Sequence, residues 1–120
     1  MSLHTDEMYV RNMRDACAKV ERYTAGFDWP AFEADERTQD AVIRALEIIG
    51  EAGSKVSPVY QSLYAEIPWR VVKDLRNTLI HGYASVRLDL VWKIATKDVP
   101  PLHARLEKLV PTKRDPEIDL

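Results

Sequence analysis

The feature that most constrains the fold is the apolar spacing between residues 42 and 56. Val42, Ala45, Leu46, Ile49, Ala52 and Val56 recur at intervals of three and four. That spacing lines one face of a 3.6-residue helix and cannot line one face of a strand, whose period is two. The same spacing returns along most of the chain. Met13, Cys17, Val20, Thr24 and Phe27 predict a first helix over about 7–25, with Gly26 suited to its end. Asp28 before Pro30 predicts a helix start, and Gly53 is expected to end or loosen the helix of residues 42–56. Ser57-Pro58 predicts a short helix whose apolar members are Val59, Leu63 and either Tyr60 or Tyr64. Pro68 predicts another helix, with Trp69, Val72, Leu75, Leu79 and Ile80 inward. Ser85 can cap a helix using Val86, Leu90, Val91 and Ile94. Asp98-Val99-Pro100-Pro101 predicts a last helix carrying Leu102, Leu106, Leu109 and Val110.

No segment alternates with period two between glycine turns, so no sheet is expected. The expected fold is all-α, a single-domain antiparallel bundle of five to seven helices over residues 1–111. The polar, proline-marked residues 112–120 form an expected flexible tail. At 120 residues the chain can bury one core. No apolar run approaches the roughly 18–20 residues of a membrane span. The opening MSLHTDEMYVRN carries acids and no apolar core, so a secretory signal is not expected. A lone cysteine, Cys17, cannot form an internal disulfide and is expected in the core, which suits a reducing cytoplasm.

The net charge of −2 gives no overall attraction to nucleic acid, but charge is unevenly distributed. Residues 31–51 hold six acids and two bases. Residues 66–97 hold six bases (Arg70, Lys73, Arg76, Arg87, Lys93, Lys97) and three acids (Glu66, Asp74, Asp89), so an anionic partner is expected there. Solvated faces of mixed sign would give the same pattern.

Within that basic region lies RNTLIHGY, residues 76–83. Arg76 falls about 40° from Ile80 and about 20° from Tyr83 around the helix, on the apolar side. A guanidinium there must be paired or must face a cleft. Arginine offers a fork of donors to a phosphate or carboxylate, and histidine transfers protons near neutral pH. With a tyrosine hydroxyl, these are the parts of a metal-free RNA cleavage site: a base takes the 2′-OH proton while cationic donors hold the charge on phosphate. The same residues also admit a structural role, with Arg76 paired to Glu51 or Asp74, His81 at a helix end and Tyr83 in the core. His4, His81 and His103 are scattered and no HExxH or CxxC spacing occurs, so neither a metal nor a cofactor is expected. Trp69 and Trp92 read as core or interface residues, Trp29 as a weak candidate partner contact, and Lys93 and Lys97 as solvated or phosphate-following.

Arg76-Asn77-x3-His81-Gly82-Tyr83 resembles the R-x4-H-x-Y pattern of the HEPN superfamily in its HepT-like form. EIIGEAGSKVS (47–57), IPWRVVKDLRNTLIHGYASVRLDLVW (67–92) and DVPPLHARLEKLV (98–110) are similar to the family's flanking helices. The resemblance implies the toxin of a type VII-like toxin–antitoxin pair, a homodimeric, metal-independent endoribonuclease with RNA as substrate. It implies catalytic roles for Arg76 and His81, and a supporting role for Asn77. It further implies adenylylation of Tyr83 by an MntA-like nucleotidyltransferase antitoxin, which silences the toxin. Glu51 matches a recurrent family position and is a second candidate for support, orienting Arg76 or an RNA group, with a helix-face salt bridge as the competing and favoured reading. Neither a membrane nor DNA figures among the implied partners. The competing expectation is a non-catalytic helical module that binds the nucleotidyltransferase or a nucleotide.

Overall fold

The computed structural model describes residues 3–79 and 86–112, together with all of their side chains except that of Arg76. Ile80, His81, Gly82, Tyr83 and Ser85, and the tail from residue 113 onward, lie outside the described residues. The chain forms α1 (Leu3–Thr24), α2 (Trp29–Glu33), α3 (Glu36–Lys55), α4 (Pro58–Leu63), α5 (Trp69–Leu79), α6 (Leu88–Lys93) and α7 (Val99–Leu109), and no strand occurs among the described residues.

Local chemistry sets most of the boundaries. Gly26 adopts φ +80° just beyond α1, a conformation that suits glycine at a helix end. Asp28, Asp35 and Ser57 cap α2, α3 and α4, each accepting a backbone N–H three residues on, from Ala31, Thr38 and Tyr60. The long helices α1 and α3 pack along each other, α5 lies against α3, and α7 lies against α1. The core they enclose includes Val10, Met13, Cys17, Val20, Phe32, Val42, Leu46, Ile49 and Leu106, all fully buried. Burial pushes the Cys17 thiol up to about 12, with the nearby Glu21 adding to the shift, so the lone cysteine is a packed core group.

Two sequence expectations need correction. Gly53 does not end its helix: α3 continues to Lys55. Glycine is required there because a Cβ would stand 2.5 Å from Cγ1 of Val72 on α5. In α4, Tyr60 is buried while Val59 and Leu63 are 64% and 60% exposed. The helix is turned so that the ring of Tyr60 packs against Tyr64 and Trp69, at centroid distances of 4.6 and 6.2 Å. As expected, Pro100 and Pro101 fall in the first turn of α7, which begins at Val99 after Asp98. Residues 88–109 are continuous, with a π-helical turn at Ile94–Asp98 in which the Val99 N–H donates to the Ile94 carbonyl, five residues back. Two consecutive prolines remove donors and crowd the preceding turn, and widening that turn accommodates them.

Two buried polar residues tie distant parts together. Asp6 is fully buried, and its carboxylate accepts the Ser57 N–H at 2.7 Å and the Ser57 hydroxyl at 2.6 Å, joining α1 to the start of α4. Arg14 donates to the Val110 carbonyl at 2.5 Å and to Asp15 at 2.9–3.0 Å, holding the end of α7 against α1.

Candidate active site

The motif begins on α5, so the placement of that helix decides where its first residues sit. α5 is strongly two-sided. Trp69, Val72, Leu75 and Leu79 are buried, and Arg70, Val71, Lys73, Asp74, Asn77 and Thr78 are exposed. Two contacts fix its position. The Trp69 indole N–H donates to the Tyr64 carbonyl at 2.9 Å, which pins the first turn. Val72 fills the notch that Gly53 leaves on α3, where Met13 of α1 also approaches. Backbone approach at a glycine allows two helices closer contact than any side chain would.

Arg76 follows one turn after Val72 on this anchored helix. Its position lies about 40° from Val72 around the axis, within the arc bounded by Trp69 and Leu75. Asn77 is the next residue and lies on the exposed side. Leu79 is buried and is the last described residue of α5. His81 and Tyr83 lie outside the described residues, between Leu79 and Val86, the point where the described chain resumes ahead of α6.

Glu51 is on a different face. It is exposed and lines a groove of 360 Å³ between α1 and α3, with Tyr9, Asn12, Asp15, Lys19 and Lys55. Around α3 it lies about 160° from Gly53, the residue that meets α5. Within one chain, therefore, the fold brings Arg76 and Asn77 together on α5 and sets Glu51 toward α1. Trp92 is half-buried with its ring 5.0 Å from Phe32, and Trp29 is half-buried 6.3 Å from the same ring, so both belong to the packing around α2. Phe32, central to that cluster, is not singled out by helical spacing because α2 has only five residues. Lys93 holds Asp98 at 3.1 Å, across the π-helical turn.

A second groove, 370 Å³ in volume, runs between α5 and the continuous helix of residues 88–109. Its walls are mostly apolar, from Val72, Leu75, Leu90, Ile94 and Leu102, and Thr78 brings a hydroxyl from within the motif. Among the described residues no group of three or more His, Cys, Asp or Glu side chains is arranged to hold a metal ion. Likewise no helix there is long and apolar enough to cross a membrane.

Comparison with known proteins assigns the family. The model of the family described as "Ribonuclease HepT-like" matches residues 13–109, which run from the middle of α1 to the end of α7. The chain belongs to the HepT-like ribonuclease family. It is 40% identical over 101 residues to a probable ribonuclease HepT of Thermococcus cleftensis, covering 84% of this chain and 92% of that one. It is 33% identical over 107 residues to a candidate RNase of Methanocaldococcus jannaschii, covering 89% of this chain and 98% of that one. No solved structure matches the chain with significance. The span shared with the HepT-like family contains the whole of RNTLIHGY and both of the contacts that anchor α5.

Proposed function

We propose that this protein is the ribonuclease toxin of a toxin–antitoxin pair, cutting RNA without a metal through Arg76 and His81 and silenced by adenylylation of Tyr83. The observation that carries this reading is the family match across residues 13–109, which takes in the intact Arg76-Asn77-x3-His81-Gly82-Tyr83 segment. The anchoring of α5 supports it. A helix fixed at Trp69 and Val72 gives an arginine a defined station, and placing charged groups before reaction is the main source of transition-state stabilisation.

In this mechanism His81 accepts the proton of a ribose 2′-OH. The O2′–P bond forms as the P–O5′ bond breaks, leaving a 2′,3′-cyclic phosphate and a 5′-hydroxyl that takes up a proton. Arg76 holds the charge that builds on the non-bridging oxygens, a role its planar fork suits better than a lysine would. Asn77 supports the arginine from the adjacent position. Transfer of AMP from ATP to the Tyr83 hydroxyl adds a phosphodiester charge within the motif. That charge competes with substrate for the arginine and repels the substrate phosphate. Two copies meeting at their motifs would double the positive charge that one chain, net −2, presents to RNA.

Induced expression without a partner tests the proposal. Wild type is expected to arrest growth, and Arg76→Ala and His81→Ala to relieve the arrest while remaining folded. Co-expression of an MntA-like nucleotidyltransferase should relieve it only while Tyr83 is present, so Tyr83→Phe stays toxic. Equal growth of wild type and both alanine variants would overturn the ribonuclease reading in favour of a binding module.

A further inference from the structure

The open groove between α4 and α5, 640 Å³ in volume, is lined by Gln61, Ser62, Trp69, Arg70 and Lys73 among others. Its polar groups divide cleanly. The Gln61 amide already donates to the Val56 carbonyl at 2.9 Å, the Ser62 hydroxyl to Pro58 at 3.0 Å and the Trp69 indole to Tyr64 at 2.9 Å. Arg70 and Lys73 are exposed, and among the described residues neither forms an ion pair. The exposed Asp74 opens onto the other side of the helix, in the groove facing α6 and α7.

We infer that Arg70 and Lys73 form a phosphate-binding subsite in the α4–α5 groove, which leads an RNA strand along α5 to Arg76. Arg70, Lys73 and Arg76 stand at i, i+3 and i+6 on α5. Each step advances about 4.5 Å and turns about 60°, from the exposed face toward the buried arc. Neighbouring Cβ atoms at this spacing are about 5–6 Å apart, within reach of successive phosphates for long cationic side chains. With one donor each of Gln61, Ser62 and Trp69 engaged by the backbone, the exposed cations Arg70 and Lys73 are the groove's charged groups toward a strand. Such contacts position a strand without selecting its sequence. This inference rests on the ribonuclease reading for its ligand but not on cleavage for its test.

The test is binding of a fluorescently labelled twelve-nucleotide single-stranded RNA to the His81→Ala protein, from 0.1 to 1 M salt. Each phosphate contact on a single strand contributes about 0.7 to the logarithmic salt slope. Arg70→Gln with Lys73→Gln is expected to lower the slope by about 1.4 and to weaken binding roughly 25-fold at 0.1 M salt, converging near 1 M. Removing two charges from the α1–α3 groove, by Lys19→Gln with Lys55→Gln, should leave the slope in place. In the cleaving protein the Arg70/Lys73 change should raise KM and spare kcat. An unchanged slope, or an equal loss in the Lys19/Lys55 control, overturns the subsite while leaving cleavage by Arg76 and His81 standing. RNA bound with the expected slope but never cut supports the subsite and overturns the ribonuclease reading. Failure to bind RNA at all overturns both.

Discussion

Gly53→Ala separates what helix propensity predicts from what the fold predicts. Gly53 lies inside α3, where alanine is favoured over glycine by about 1 kcal/mol. Propensity alone therefore predicts stabilisation. The structure predicts the opposite, because the new Cβ would stand 2.5 Å from Cγ1 of Val72 and 3.5 Å from Cε of Met13. Carbon atoms rest at about 3.5–4.0 Å, so α5 must move by about 1 Å or Val72 must change rotamer. Valine in a helix holds one χ1 well about 90% of the time, which makes retreat by rotamer costly. Overpacking of this kind costs typically 1–3 kcal/mol, so the net effect is a loss of up to about 2 kcal/mol, readable as a lower urea midpoint at unchanged m. Since α5 carries Arg76, a displacement of about 1 Å should also lower cleavage by up to about 100-fold. Val72→Ala in the same chain removes the obstructing methyl groups. The double variant should be more stable than the sum of the two single losses by about 1 kcal/mol or more. A Gly53→Ala protein that is more stable than wild type, cuts RNA normally and shows no coupling to Val72 would refute the reasoning.

Two further predictions concern buried groups. Asp6→Ala should cost about 1–3 kcal/mol in urea unfolding, because it strands the Ser57 N–H and hydroxyl that the buried carboxylate now satisfies; equal midpoints would show that water replaces it freely. Alkaline stability should fall because burial raises Cys17 to about 12, above its ordinary value near 9. The thiol's contribution is then fully present below about pH 8.5 and lost as pH rises through the folded value, up to about 4 kcal/mol. Cys17→Ala should flatten the decline in chemical-denaturation stability between pH 9 and 11, and an unchanged slope would refute the assignment.

The helical framework was legible because its apolar residues repeat over many turns: the stripes through Met13, Cys17 and Val20 and through Val42, Leu46 and Ile49 all face the core. Where elements are short the pattern runs out. Six residues of α4 contain too few turns to choose between Val59 and Tyr60, and aromatic packing against Trp69 decides it. Gly53 read as a terminator because its reason for being glycine, the methyl of Val72, is nineteen positions away. Asp6 and Arg14 went unnoticed for the same cause, since their partners Ser57 and Val110 lie 51 and 96 residues along the chain. Of the candidate site residues that the sequence named, Arg76 and Asn77 lie on α5, while His81 and Tyr83 lie outside the described residues. The sequence could not foresee that Glu51 opens toward α1, because the facing of a polar residue depends on which neighbour packs beside it.

The most direct test of the central claim is cleavage of single-stranded RNA by the purified protein in excess EDTA, comparing wild type with Arg76→Ala and His81→Ala. The account predicts 2′,3′-cyclic phosphate ends from wild type and a loss of at least 100-fold in either variant, the scale expected when a general base or a charge-stabilising donor is removed. Cleavage that stops with EDTA, or that persists undiminished in both variants, would contradict it.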